Sequence, residues 1–141
     1  MLVETADTIA TKFPEFEHSP FVQERFDEHW QPDRTWGWQQ DRAVVGHNTK
    51  ISWNLRRIFH LLAKPLYVKT ARRLADTMAT EGVDLQRGGW YDVVERKKAE
   101  GDALHQPVWH DRKAWWQQEQ GVLAYLINGG ADKNPGYLKV A

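Results

Sequence analysis

The chain has 141 residues, 41% of them hydrophobic, which is enough for one domain with a core of its own. Its 19 basic and 19 acidic residues cancel to a formal charge of zero, which argues against a general binder of nucleic acid or anionic membrane surfaces. The absence of cysteine excludes a disulfide framework and a thiolate zinc site, and it fits a reducing, cytoplasmic setting.

The N-terminal residues Met1 to Thr5 carry neither the basic nor the apolar region of a secretory signal, and no apolar run reaches membrane-spanning length. Residues 4–13 read as a short helix capped at Thr5 or Asp7, with Ile9 and Phe13 on one side and Pro14 as its stop. From 20 to 45, apolar and polar side chains alternate through Phe21, Val22, Gln23, Glu24, Arg25 and Phe26. Pro32 and the Trp36-Gly37-Trp38 group follow, so this stretch reads as a β-hairpin or a long irregular rim loop.

A strongly amphipathic helix is predicted over 47–63, where Ile51, Leu55, Ile58 and Leu62 recur at i, i+4, i+7 and i+11. Lys64-Pro65 breaks it, and a second helix over 66–80 has Leu66, Val68, Ala71, Leu74, Ala75 and Met78 as its apolar residues and Arg72 and Arg73 on its wet side, with Gly82 as its stop. So short a connection makes the two an antiparallel hairpin. Residues 88–94 read as a turn and a strand, and 95–102 as a solvated charged loop. The last long helix, over 112–128, has Trp115, Glu119, Val122 and Leu126 on one face and Trp116, Leu123 and Ile127 on the next. Gly129-Gly130 reads as its stop, and its nearly encircled second half is expected to be buried. Residues 135–141 read as a turn opening another helix. The class implied is all-α, built of helical hairpins with short β-like rim segments near 20–30 and 88–94.

The residue most suited to chemistry is His47, in Gly46-His47-Asn48-Thr49-Lys50, because imidazoles titrate near neutral pH and this one opens a helix, where it stays reachable. His105 and His110 are further acid/base candidates, more readily read as rim-loop residues. Arg56 and Arg57 could hold an anionic substituent or lie solvated on the helix. Eight tryptophans suit either a packed core or a site for sugar rings. There is no His-Glu-x-x-His pair, Asp-x-Asp loop, phosphate loop, nucleophile elbow or dinucleotide fingerprint, so neither metal nor cofactor is expected.

Three blocks in order carry a resemblance: Gly46-His47 opening a helix, the turn Gly88-Gly89-Trp90-Tyr91-Asp92, and Lys113-Ala114-Trp115-Trp116 heading the last helix. Over roughly 15–141 the chain resembles the N-acylglucosamine 2-epimerase and cellobiose 2-epimerase family. That resemblance implies an (α/α)6 toroid of helical hairpins around a sugar cavity, of which residues 1–141 would form a single incomplete domain, the middle of the barrel. It implies a sugar 2-epimerase or aldose–ketose isomerase that moves the C2 proton of a mono- or disaccharide through an enediolate without a cofactor. His47 would be one acid/base. Trp90, Tyr91, Trp115 and Trp116 would line the cavity, and Gln118 and Glu119 would bond sugar hydroxyls or hold the histidine.

Two departures stand out. The family carries a glutamate three residues after the histidine, where this chain has Lys50, and an acidic residue one place beyond Glu119, where it has Gln120. The family's second histidine falls beyond the end of this sequence. The chain alone is therefore expected to be incomplete and to associate as a homo-oligomer. The alternative is a non-catalytic helical oligomerisation or binding module derived from that family.

Overall fold

The computed structural model describes residues 1–37, 39–109 and 112–141. Its elements run α1 (Leu2–Lys12), β1 (Arg42–Val44), α2 (Val45–Leu62), α3 (Pro65–Met78), β2 (Val93–Glu95), α4 (Trp115–Asp132) and α5 (Pro135–Leu138). The fold is mostly helical, as the periodicity predicts. Ala63, left-handed at φ 52°, caps α2, and Pro65 supplies a preset φ at the start of α3, so the two fold back on each other as the expected hairpin. α4 packs against α2.

One core gathers Phe21, Val45, Met78, Trp90, Val94, Tyr125 and Tyr137, uniting the rim loop, β2 and α2 to α5. Trp90 stacks on Tyr125 with ring centroids 5.5 Å apart and planes 11° apart. Gly121 makes room for that stack, since a Cβ there would lie 2.4 Å from the indole. A second core joins Ala6, Ala10, Leu55, Tyr67 and Ala71, with Ile51, Ile58 and Leu62 packed against it. The seam of α2 is therefore covered by α1 and α3 within the chain itself.

Other boundaries shift for physical reasons. α1 begins at Leu2, so Thr5 and Asp7 lie inside it: Thr5 Oγ1 donates to the Met1 carbonyl, and Asp7 accepts from Lys64 Nζ and from the Tyr67 hydroxyl. Residues 20–37 and 39–41 form an irregular loop with isolated bridges, Pro14 to Val22 and Phe26 to Pro32. Among the described residues the only ladder is antiparallel, pairing Arg42 with Glu95, Ala43 with Val94 and Val44 with Val93. α4 runs through Gly129 and Gly130 to Asp132, because Gly129 lies against Tyr137 Cβ and ends nothing. That helix buries Gln117, Gly121, Ala124, Tyr125 and Asn128 but leaves Val122, Leu123 and Leu126 exposed, contrary to the expected burial of its second half. Arg96, expected in a solvated loop, is buried at 3% exposure. No described helix is long and apolar enough to cross a membrane.

Candidate functional site

His47 sits in the first turn of α2, where Gly46 brings the backbone hard against α4. The Gly46 N–H donates to Gln117 Oε1 at 2.5 Å, and any Cβ on Gly46 would meet that same side chain at 2.5 Å. Gln117 in turn donates through Nε2 to the carbonyl and the carboxylate of Asp92. One buried amide thus fixes the histidine-bearing turn of α2, the head of α4 and the segment leading into β2.

The imidazole is about half exposed, and its Nδ1 lies 2.5 Å from Glu24 Oε2. A carboxylate only accepts, so Nδ1 is the donor. The other Glu24 oxygen, Oε1, is buried with no hydrogen-bond partner among the described residues. Across the ring lies Trp116, its centroid 5.4 Å from that of His47. A concavity of about 260 Å³ opens beside the pair, lined by Phe13, Glu24, Arg25, His47, Lys50 and Ile51. A larger one, about 770 Å³, runs along α3 past Lys69, Arg72, Arg73 and Asp76 and is lined by no histidine.

The remaining expected site residues scatter. Trp115 is 73% exposed at the start of α4, and Glu119 is exposed further along it. The Trp90 ring belongs to the core. Tyr91 lines a separate concavity of about 350 Å³ with Glu81, Leu85 and His105. His105 is buried, edge-on to Phe21, with Nδ1 2.8 Å from the Glu95 carbonyl, and burial lowers its pKa and favours the neutral ring. His110 lies outside the described residues. Arg56 is buried between Asn128 and Asp132, which uses the charge internally, and Arg57 lies over the Trp53 ring.

Gln118 has a different employment from the expected one. Its Oε1 accepts from the Trp90 N–H at 2.9 Å and its Nε2 donates to the Trp90 carbonyl at 2.8 Å, clamping the glycine turn to α4. Gly89 has φ 75°, and a Cβ there would sit 2.5 Å from Gln118 Oε1, so both geometry and space require glycine. Lys113 completes the clamp, donating to the Gly88 carbonyl at 2.6 Å and pairing with Asp84 at 2.8 Å. The co-occurrence of the glycine turn and the Lys-x-Trp-Trp block is thereby explained as one structural joint.

The hydrogen bond from Lys113 holds the Asp84 carboxyl down at about 2 against its usual 3.8. A depressed folded-state value contributes stability above about pH 4, and that contribution is lost as the pH falls towards 2. Asp84→Asn should therefore flatten the fall of the urea midpoint between pH 4 and pH 2. An unchanged acid slope would show that other groups set it.

Sequence reasoning missed Glu24, Gln117, Asp92 and Arg96.

The geometry can be set beside known proteins. A family model described as N-acylglucosamine 2-epimerase (GlcNAc 2-epimerase) matches residues 2–137. Cellobiose 2-epimerase from Bacillus thermoamylovorans superposes with a TM-score of 0.77 at 18% identity, over 99% of this chain and 32% of that one. A sugar epimerase from a ruminal bacterium gives 0.69 at 15% identity, over 99% and 34%. A D-mannose isomerase gives 0.65 at 20% identity, over 95% and 32%. These likenesses establish the fold, with the hairpins arranged as in a helical toroid. The chain spans about a third of the length of each of these structures. A search of curated protein sequences returned no match.

Proposed function

Because this chain belongs to the N-acylglucosamine 2-epimerase family, we propose that it takes part in sugar 2-epimerisation or aldose–ketose isomerisation, with His47 as one acid/base. In such a reaction the C1 carbonyl of the ring-opened sugar acidifies the C2 proton. A base removes it to give an enediolate, and an acid returns a proton to C2 on the other face, or to C1 for isomerisation. The observation that supports this reading is the placement of His47: a half-exposed imidazole at the edge of a concavity, tethered on one nitrogen, with the Trp116 ring beside it. An indole offers a flat apolar surface to the C–H face of a sugar.

Proton transfer across two faces needs a second group, and among the described residues only His47 supplies an imidazole to this concavity. With one partner, catalysis should fall by about a hundredfold or more. The isolated chain is thus proposed to bind sugar while lacking epimerase activity of its own.

Titration of the protein with mannose, N-acetylglucosamine and cellobiose, followed by the His47 ring resonances, tests the reading. A saturable shift that Trp116→Ala abolishes is expected. No response to any of the three would overturn the sugar-site reading.

A second reading, a helical oligomerisation or binding module, draws support from Lys50 and Gln120, where the resemblance implies carboxylates. Gln120 is also engaged internally, accepting from Trp53 Nε1 at 2.8 Å. Both readings include self-association through the exposed Val122, Leu123 and Leu126 flank of α4. A dimer in sedimentation at micromolar concentration is expected; a well-folded monomer would sink that part.

A further inference from the structure

We propose that Glu24, presented by the rim loop, is the positioning residue of His47, fixing its tautomer and aim so that Nε2 is the nitrogen that exchanges protons. The proposal rests on reading His47 as an acid/base, and it concerns a residue 23 positions before the histidine and on a different element.

Three observations carry it. The contact is short, 2.5 Å between Nδ1 and Oε2, and charge-assisted bonds of that kind are the strong ones. The Glu24 side chain is only 12% exposed, so the pair is partly shielded from water, unlike a surface ion pair of two waving side chains. And the backbone that delivers Glu24 is pinned at the two residues just ahead of it. The Val22 N–H donates to Asn48 Oδ1 at 2.9 Å, the Gln23 N–H donates to the Phe13 carbonyl at 2.7 Å, and the Val22 carbonyl accepts from Arg96 at 2.8 Å. Asn48 is the residue next to His47, so the loop and the histidine share one anchor and move together.

The chemical consequence follows from imidazole itself. With Nδ1–H held by the carboxylate, the lone pair of the neutral ring resides on Nε2, the nitrogen free to take a proton from carbon. When Nε2 gains that proton, the ring becomes cationic, and Glu24 stabilises the cation it faces. Lys50, one turn along α2 on the same concavity, bears the opposite charge from a carboxylate and cannot do this. The function that the resemblance would give to residue 50 is thus supplied from the rim loop.

Nitrogen-15 NMR of the histidine rings reads the tautomer directly and needs no sugar. At a pH where the ring is neutral, the wild-type His47 is expected as the Nδ1–H form. Glu24→Leu should shift it towards Nε2–H. Glu24→Gln, whose amide oxygen still accepts, should retain Nδ1–H but move its proton resonance upfield as the charge assistance is lost. A wild-type Nε2–H tautomer would overturn the proposal without any variant, as would a Gln variant indistinguishable from wild type. If the tautomer results hold while the sugar titration is silent, Glu24 stands as the positioning residue and the sugar reading falls; the reverse pattern separates them the other way.

Discussion

Trp90→Ala should lower the stability of the domain by about 3–5 kcal/mol, the range for deleting a buried large aromatic. The indole is 3% exposed, stacks on Tyr125, and lies so close to Gly121 that no other residue fits there. Its removal opens a void shared by β2, α3 and α4, and the neighbours cannot collapse into it because Gln118 holds the backbone of residue 90 in place. Gly121→Ala is the complementary test, since overpacking the same contact should cost about 1–3 kcal/mol. Urea unfolding of both variants, read as a shift in midpoint at constant slope, checks the pair. A loss under about 1 kcal/mol for Trp90→Ala would mean that the ring is not packed as described.

The second large effect is expected at Arg96. Its guanidinium donates to the carbonyls of Phe21, Val22 and Arg42 and to Ser19 Oγ, and it lies within 4.0 Å of carboxylate oxygens of Glu15 and Asp41. Burial lowers its pKa, which marks how little water reaches it. Arg96→Met should cost about 3–5 kcal/mol, because the partners stay buried after their donor is gone. Arg96→Lys should fare little better, since a point charge cannot meet acceptors spread around a planar fork. The loss should also be functional: with Val22 released, Glu24 is no longer held against His47, and the Nδ1–H signature of that histidine should weaken in any variant that still folds. A variant with wild-type midpoint and wild-type tautomer would show that the loop is held by other means.

Local periodicity made the helices legible. Leu55 and its neighbours declare the inner side of α2, and Lys64-Pro65 declares its end, because both signals lie within a turn or two of the structure they specify. The place of His47 in the first turn of α2 was legible for the same reason. Its partner was not: Glu24 meets it only after a loop of 23 residues closes, and β1 finds β2 across some fifty residues, so neither contact leaves a mark on local spacing. Glycines were ambiguous in a different way. Gly129 carries the composition of a helix stop but serves close approach to Tyr137, and only the identity of the neighbour separates those roles. The resemblance implies that Gln118 and Trp90 face a ligand, whereas each is consumed by the joint between the glycine turn and α4.

The single amide of Gln117 also sets which motions are open to the molecule. It accepts from α2 and donates to Asp92, so turning α4 about its own axis would break both links together, at about 0.5–1.5 kcal/mol each before any packing is lost. The two helices therefore behave as one rigid frame. The loop that carries Glu24 is tied to the same frame, through Val22 to Asn48, through Arg96 and through Glu24 to His47 itself, so the lining of the His47 concavity is held as part of that frame.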